Sequence, residues 1–298
     1  MMSLKEIMPW VKEGIMYGDG ATVISGVSTD SRSIVVGDLF VALKGETFDG
    51  NQFINSVKKA GAAAAISNEN LEVFSLPGIQ VNDTKNALGQ IAKAWRTKFV
   101  LPLIAITGSN GKTTVTQMVA SILRAYKGDA SISTKGNFNN DIGVPKTLFQ
   151  LTKNTEIAVI EMGMNHPGEL KLLSKIVDAD VVVCTMVGRG HLEGVGSIEG
   201  AALAKAEIYE FAPLGATFIF NLDNPHTLQM RSRFLSGDDG AKRRSLSFSE
   251  QSGDVSLKVT RMTADALEVS GQIRGVEGSA VIPVFGSHNV TNLMAASA

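Results

Sequence analysis

The residues of this sequence that are best suited to chemistry lie in one glycine-rich segment, which reads Gly-Ser-Asn-Gly-Lys-Thr-Thr. Glycines let backbone N–H groups turn inward around phosphate oxygens, and a helix that starts at such a turn adds partial positive charge. A lysine there reaches the β- and γ-phosphates of a nucleoside triphosphate, while a threonine hydroxyl binds Mg²⁺. We therefore predict an ATP site that consists of Gly108, Ser109, Asn110, Gly111, Lys112, Thr113 and Thr114.

The segment departs from the usual phosphate-loop pattern Gly-x-x-x-x-Gly-Lys-Thr, because Ile106 stands where the first glycine is expected. An ordinary strand-to-helix turn that carries a lysine is therefore the alternative. The flanking sequence favours the phosphate loop: residues 103–106 are fully apolar, and apolar residues recur at helical spacing after Thr114. In this arrangement Lys112 binds the phosphates and Thr113 binds the metal ion.

Strand and helix patterns alternate after the first hundred residues, and their order sets the fold class. Short apolar runs with helical patterns between them predict buried parallel strands, and these runs are 103–106, 157–160, 181–184 and 217–220. From 244 to 283, short alternating runs predict antiparallel strands. We expect an α/β protein, with a small N-terminal α/β domain before a phosphate-loop domain that has a mainly parallel sheet and a small antiparallel sheet.

The same patterns predict the domain boundaries. Residues 1–82 form the predicted N-terminal domain, 83–100 an amphipathic linker helix, and 101–298 the central domain. The sequence stops at Ala298 inside a predicted helix that has no capping signal. We therefore expect a fragment of a longer protein, truncated near the end of the central domain.

Composition and charge argue against several classes of protein. Lysine plus arginine (28) nearly balances aspartate plus glutamate (29), so no global positive field points to nucleic acid. The single cysteine, Cys184, lies in an apolar run and fits a reducing compartment. The sequence contains neither a signal-peptide pattern nor the run of about 18 apolar residues that a spanning helix needs. We expect a cytoplasmic protein that does not span a membrane.

Three further segments match a known family in the expected order. They run from Lys135 to Pro145, from Glu161 to Glu169, and from His191 to Gly194 with Ala204 to Ile208 downstream. Together with the glycine-rich segment they resemble the Mur ligase family. The resemblance implies an ATP-dependent amide ligase of peptidoglycan synthesis that joins D-alanyl-D-alanine to UDP-N-acetylmuramoyl-tripeptide. The tripeptide carboxylate would take the γ-phosphoryl group of ATP, and the amine of D-alanyl-D-alanine would attack the acyl phosphate.

The resemblance also implies catalytic and metal-binding residues. Thr113, Glu161 and His191 would bind Mg²⁺, with two ions in the site, and Lys205 would carry a carbamate that acts as a further metal ligand. Lys112, Lys205 and His191 would be catalytic. Three of these residues have a plainer interpretation. Glu161 could be a solvated charge at a strand end, His191 a structural or solvated loop residue, and Lys205 an ordinary helix lysine.

Substrate-binding residues follow from the resemblance in the same way. The residues so implied are Asn137, Asn139 and Asn140 near the muramoyl substrate, Ser31, Arg32 and Lys44 in a uridine-diphosphate pocket, and Asn289 at the adenine. Residues 1–82 would then be the UDP-muramoyl-binding domain and 101–298 the ATP-binding domain. The alternatives are turn chemistry at the asparagines of the central domain, a polar turn with surface charges in the first domain, and a helix N-cap at Asn289.

Three functions stay open at this point. The first is the catalytic ligase. The second is a truncated, catalytically incompetent fragment that binds nucleotide and UDP-sugar, because the C-terminal domain of the family has no counterpart in 1–298. The third is a sibling ligase that adds a single amino acid, and the run Glu161 to Asn165 argues against it. We expect this chain to be a monomer that ligates poorly or not at all by itself.

Overall fold

A computed structural model describes residues 2–189, 192–240 and 242–298, without the side chains of Leu192, Glu193 and Asp238. Contacts divide the chain into two compact units. Unit 1 comprises Met1–Phe99 and Asp141–Leu151, and unit 2 comprises Val100–Asn140 and Thr152–Ala298. None of the helices within the described ranges has the length and apolar character that a membrane crossing requires.

The elements of the described residues are as follows. The strands are β1 (Met2–Ser3), β2 (Ile15–Tyr17), β3 (Val23–Ile24), β4 (Gly26–Ser28), β5 (Asp38–Val41), β6 (Ala64–Ser67), β7 (Gly78–Gln80), β8 (Leu103–Thr107), β9 (Ser131–Ser133), β10 (Ile157–Glu161), β11 (Val181–Cys184), β12 (Thr217–Asn221), β13 (Ser245–Phe248), β14 (Val255–Met262), β15 (Leu267–Ile273) and β16 (Val276–Ile282). The helices are α1 (Leu4–Ile7), α2 (Ile54–Lys59), α3 (Thr84–Arg96), α4 (Lys112–Lys127), α5 (Gly143–Leu148), α6 (Glu169–Val177), α7 (Leu192–Val195), α8 (Ile198–Glu210), α9 (Pro225–Leu235), α10 (Gly237–Gly240) and α11 (His288–Ser297). Short 3₁₀ turns lie at Met8–Trp10, Gly50–Phe53, Leu71–Phe74 and Gly128–Ala130.

Unit 1 is built on a five-stranded sheet in the order β2-β7-β6-β5-β4, in which only β2 is antiparallel to its neighbour. Strands β5 and β6 are buried throughout, as expected of parallel strands that are covered on both faces. Helix α3 begins after Asp83, whose side chain accepts hydrogen bonds from two backbone amides of the first turn. Its apolar residues Leu88 and Ile91 are fully buried in the core of unit 1. The helix expected between the domains therefore packs within this unit.

Unit 2 is built on a nine-stranded sheet in the order β16-β15-β14-β13-β12-β11-β8-β10-β9. Strands β8 to β13 are parallel, and β14 to β16 form an antiparallel meander. The pairing of Phe248 with Val255 joins the two parts. The expected α/β fold with a mainly parallel and a small antiparallel sheet is thus confirmed. The sequence assigned β13 to the antiparallel region, and this detail is wrong because β13 pairs in parallel with the buried strand β12.

The first strand of unit 2, β8, lies in the interior of the sheet between β10 and β11. The chain passes from β8 to β9 and β10 on one side, and then crosses to β11 and β12 on the other side. Ligands of open parallel sheets bind beyond the carboxyl ends of the strands, where the strand order reverses in this way. The polar residues Thr134, Glu161, Thr185 and Asn221 end or follow the strands at this edge, beside the glycine-rich loop.

Candidate functional site

The glycine-rich loop connects β8 to the first turn of α4. Gly111, at the N-cap position of α4, has a φ of +81°, and Gly108 has a φ of +149°. Side chains are disfavoured in both conformations, which explains glycine at these two positions. Gly111 has no side chain to cap α4, and within the described residues the amides of Gly111, Lys112 and Thr113 donate no hydrogen bond. The helix therefore presents free N–H donors and its positive dipole end to an anion.

Lys112 lies directly over this loop. Its ammonium Nζ donates a hydrogen bond to the Gly108 carbonyl oxygen at 2.9 Å. Burial lowers the pKa of Lys112, while the negative charge of Glu161 and the Cys184 thiol act in the opposite direction. A lysine in this position adds positive charge beside the free amides of the helix terminus.

Glu161 ends β10 on the far side of the loop and is 1% exposed. Its Oε1 accepts hydrogen bonds from the Thr113 hydroxyl at 3.2 Å and from the Asn139 side-chain amide at 2.8 Å. The Glu161 backbone N–H donates to the Thr134 hydroxyl at 2.9 Å. The structure thus brings two predicted metal ligands, Thr113 and Glu161, together. Carboxylate and hydroxyl oxygens are ligands that suit Mg²⁺.

His191, the next predicted metal ligand, lies outside the described residues. Among the described residues, no group of three or more histidine, cysteine, aspartate or glutamate side chains is placed to hold a metal ion.

Lys205 lies in the middle of α8 and is 1% exposed. Burial lowers its pKa most; the Cys184 thiol opposes this, and the positive charge of Lys112 adds to it. Tyr209, one helical turn later, donates a hydrogen bond to the Ile219 carbonyl at 2.7 Å and accepts one from the Cys184 N–H at 2.9 Å. Because residues four apart share a helix face, these bonds to β11 and β12 also direct Lys205 toward the sheet.

The predicted substrate asparagines follow β9. The Asn139 side-chain amide donates to Glu161, and the Asn139 backbone carbonyl accepts a hydrogen bond from the Gly163 N–H at 2.7 Å. Asn137 and Asn140 are exposed. The side-chain amide of Asn139 is therefore engaged at the Glu161 carboxylate.

The predicted diphosphate-binding cations of unit 1 each form an ion pair with a nearby acid. Arg32 is 87% exposed and pairs with Asp30 at 2.7 Å, and its hydrogen bonds lower the pKa of the Asp30 carboxyl group. Lys44 pairs with Asp49 at 3.1 Å. Ser31 is half-buried beside Arg32. Exposed pairs of this kind contribute little to stability, because water screens the attraction between the two charges.

Asn289 lies in the first turn of α11. Its side-chain N–H donates to the Phe285 carbonyl at 2.7 Å, and its Oδ1 accepts a hydrogen bond from Asn292 at 2.9 Å. Ser287 occupies the N-cap position, so the alternative interpretation of Asn289 as the N-cap is wrong. A Cβ atom at Gly111 would overlap Oδ1 of Asn292, so α11 lies against the glycine-rich loop.

The sequence analysis missed Thr134 and Thr185 at this site, and it did not predict the contact of Asn292 with Gly111. Thr134 and Thr185 are polar residues that directly follow β9 and β11, so a search for polar residues after each strand would have found Thr185, whose strand was predicted. Strand β9 is too short and too polar to be recognised. Asn292 has no comparable signal, because its role depends on the packing of α11 against α4.

The family model described as Mur ligase middle domain matches residues 106–298, and the model described as Mur ligase family, catalytic domain, matches residues 23–96. The chain belongs to the Mur ligase family. The expected family is thus confirmed, and the two matches fall one on each side of the α3–β8 connection.

Two similar curated relatives share one name. The UDP-N-acetylmuramoyl-tripeptide–D-alanyl-D-alanine ligase of Haemophilus influenzae is 35% identical over 95% of this chain and 61% of its own length. The Bacillus subtilis ligase of the same name is 37% identical over 93% of this chain and 58% of its own length. The chain therefore spans about three fifths of the length of the curated relatives it matches.

Solved structures show the same relationship. MurF from Acinetobacter baumannii superimposes with a TM-score of 0.89 and 32% identity, over 99% of this chain and 63% of that one. MurF ligase from Thermotoga maritima, solved in complex with ADP, superimposes with a TM-score of 0.79 and 26% identity, over 92% of this chain and 62% of that one.

Proposed function

We propose that this Mur ligase chain belongs to an ATP-dependent amide ligase that joins D-alanyl-D-alanine to UDP-N-acetylmuramoyl-tripeptide in peptidoglycan synthesis. The observation that carries the proposal is the meeting of Thr113 and Glu161, 3.2 Å apart, beside the uncapped start of α4. This geometry combines free amides and a cation for phosphates with oxygen ligands for a metal ion. The names of the similar ligases supply the substrates.

In the proposed reaction an oxygen of the tripeptide carboxylate attacks the γ-phosphorus of ATP, and ADP leaves. The amine of D-alanyl-D-alanine then attacks the acyl phosphate carbon, forming the amide as inorganic phosphate leaves and the amine loses a proton. Two anions must meet in the first step, so positive charge held in place by the protein lowers its barrier. Lys112 and the free amides of Gly111, Lys112 and Thr113 supply that charge to the β- and γ-phosphates. Asn289, hydrogen-bonded to Asn292 beside the loop, is assigned to the adenine.

We assign Thr113, Glu161, His191 and Lys205 as metal ligands, and Lys112, Lys205 and His191 as catalytic residues. Mg²⁺, as two ions, would supply neutralisation of the phosphate charges when bound. Only a neutral lysine adds CO₂ to give a carbamate, and burial of Lys205 lowers its pKa toward the neutral form. That direction supports the carbamate as a further oxygen ligand.

We assign substrate binding to both units. In unit 1 the exposed pairs of Arg32 with Asp30 and Lys44 with Asp49 can exchange a carboxylate for a diphosphate at little cost. Ser31, which precedes Arg32 in the chain, is assigned to the same substrate. In unit 2 the exposed Asn137 and Asn140, with Asn139 at Glu161, are assigned to the muramoyl substrate. Residues 1–82 would serve the UDP-muramoyl substrate and 101–298 would serve ATP, in a monomeric cytoplasmic protein.

A binding function without ligation is the second candidate. A sibling ligase that adds one amino acid is the third, and the choice of amine substrate distinguishes it.

The test of nucleotide binding uses the 298-residue chain, with ATP and Mg²⁺ titrated by calorimetry. We expect Lys112→Ala to abolish measurable ATP binding, because the ammonium over Gly108 is lost. Lys127→Ala is the matched control at the other end of α4, where the lysine pairs with Glu156 at the surface. Undiminished affinity in Lys112→Ala would remove the main support for the proposal.

The substrate is tested with the whole protein as its gene encodes it. Phosphate release is measured with UDP-N-acetylmuramoyl-tripeptide and ATP, in the presence of either D-alanyl-D-alanine or single amino acids. We expect release with the dipeptide only. Release with a single amino acid instead would point to a sibling ligase, and binding of ATP without any release would favour the second candidate.

A further inference from the structure

The glycine-rich loop is tied by hydrogen bonds to the segment that follows β11. The Ser109 N–H donates to the Met186 carbonyl at 2.9 Å. The Ser109 hydroxyl donates to the Gly188 carbonyl at 3.1 Å and accepts from the Gly188 N–H at 2.9 Å. The Thr185 hydroxyl donates to the Asn110 carbonyl at 2.6 Å. The loop is therefore held from the side by a second strand end, in addition to β8 and α4.

Thr185 is itself fixed in place. It is 3% exposed, its N–H donates to the Thr107 carbonyl at 2.9 Å, and its carbonyl accepts a hydrogen bond from the Asn221 side chain at 2.9 Å. A Cβ atom at Gly108 would overlap the Thr185 hydroxyl oxygen. Thr185 thus fills the space that Gly108 leaves open, and its hydroxyl also holds the Asn110–Gly111 peptide of the loop.

The bond to Asn110 has a directional consequence. In a trans peptide the C=O and the following N–H point in opposite directions. Because the Asn110 carbonyl points at Thr185, the Gly111 N–H points away from β11, and it donates to no group among the described residues. Gly111 N–H is one of the donors that a phosphate would need.

We propose that Thr185 is a positioning residue for the phosphate loop: its hydroxyl holds the Asn110 carbonyl and so keeps the Gly111 N–H aimed at the nucleotide. The proposal deepens the proposed function and rests on it, since it concerns the same nucleotide site. Without the hydroxyl, the Asn110–Gly111 peptide is free to turn and lets its carbonyl bond to water instead. The apparent Kd for ATP then rises, because it equals the intrinsic Kd divided by the fraction of the protein whose loop is in the binding conformation.

The test compares three variants of the 298-residue chain by calorimetric titration with ATP and Mg²⁺. Thr185→Val keeps the shape and removes the hydroxyl, and we expect its Kd to rise about tenfold, the usual effect of one buried hydrogen bond. Thr185→Ser keeps a hydroxyl at this position, and the Kd of this variant for ATP should stay within about twofold of that of the unsubstituted chain. Thr116→Val is the matched control, because the buried Thr116 hydroxyl has no partner in the described part of the chain; its Kd should not change.

A second measurement does not depend on nucleotide. Amide hydrogen exchange at Ser109 and Gly188 is followed without ligand, and we expect it to accelerate in Thr185→Val but not in Thr185→Ser. Thr185→Ala replaces the valine variant if that variant does not fold. Equal Kd values for Thr185→Val and Thr185→Ser, or unchanged exchange at both amides, would overturn the positioning role. Failure of the unsubstituted chain to bind ATP would overturn the proposed function instead, and the exchange measurement would still decide whether Thr185 orders the loop.

Discussion

One oxygen of the Glu161 carboxylate accepts hydrogen bonds from both Thr113 and Asn139, while the residue is almost fully buried. A glutamine could keep both bonds through its side-chain carbonyl, since that oxygen is also an acceptor. The negative charge would be lost. Glu161→Gln therefore separates the structural role of this side chain from its proposed role as a metal ligand.

We expect Glu161→Gln to leave the fold intact and to weaken the effect of Mg²⁺ on ATP binding by about tenfold or more, because a hard cation prefers a charged oxygen ligand. The measurement is the ATP Kd with and without Mg²⁺. Glu156→Gln, at an exposed carboxylate paired with Lys127, is the control and should leave the Mg²⁺ effect unchanged. An equal Mg²⁺ effect in all three proteins would argue against metal binding at Glu161.

Cys184 lies at the end of β11 among the charged groups of the site, yet it should be unreactive. Burial raises the pKa of its thiol to about 11, and the charges of Lys205 and Lys112 oppose this only in part. The thiolate fraction at pH 8 is then about one in a thousand. Because the raised pKa favours the neutral thiol in the folded state, its contribution to stability is present below pH 9 and is lost as the pH rises toward 11.

We expect alkylation of native Cys184 by iodoacetamide at pH 8 to be far slower than that of the chain in denaturant, and to rise with pH up to about 11. Mass spectrometry of the time course provides the measurement. Labelling of the native chain at the denatured rate would contradict the buried, neutral thiol.

At the scale of elements, the contact between α11 and the start of α4 depends on the absence of a side chain at Gly111. A Cβ atom there would overlap Oδ1 of Asn292, and the φ of +81° is strained for any residue with a side chain. Gly111→Ala therefore meets two separate penalties. Asn292→Ala would remove the first and leave the second.

We expect Gly111→Ala to lower the free energy of unfolding by about 1–3 kcal/mol. In the double variant with Asn292→Ala the loss should be smaller than the sum of the two single losses, by about 0.5 kcal/mol or more. Urea denaturation of the four proteins gives this coupling energy. Strict additivity would show that the two residues do not interact.

The sequence predicts the elements that depend on local pattern and fails where long-range packing decides. Apolar runs identify β8, β10, β11 and β12 because parallel strands are buried on both faces. The loop and Glu161 follow from those strands, since each comes directly after or at a strand end. Strand β9 has only half-buried residues, and its Ser-Ile-Ser sequence carries no strand pattern. The contact of Asn292 with Gly111 joins residues far apart in the chain, so no spacing rule reveals it.

At the scale of the molecule, the chain forms two units that each have a separate apolar core. Asp141–Leu151 belongs by its contacts to unit 1, although it follows the first elements of unit 2. Within unit 1, α5 packs against α3, and Lys85 pairs with Asp141 at 2.9 Å. A domain prediction that divides the sequence at one point cannot assign this segment to unit 1. The assignment rests on contacts with α3 and not on the position of the segment in the chain.

Separate cores make the proposed roles of the two units testable with two ligands. ATP with Mg²⁺ at about 100 times its Kd stabilises the unit that binds it by about 2.7 kcal/mol, which slows amide exchange through unfolding about a hundredfold. We expect this protection at Ile104 and Val159 of the sheet in unit 2. UDP, as a probe of the uridine-diphosphate pocket, should instead protect Phe40 and Ile66 of the sheet in unit 1.

Hydrogen exchange resolved by NMR or mass spectrometry measures both effects. Lys112→Ala is the control for ATP, and a variant carrying both Arg32→Ala and Lys44→Ala is the control for UDP. Protection of unit 1 alone by ATP, or of unit 2 alone by UDP, would reverse the proposed assignment of the substrates.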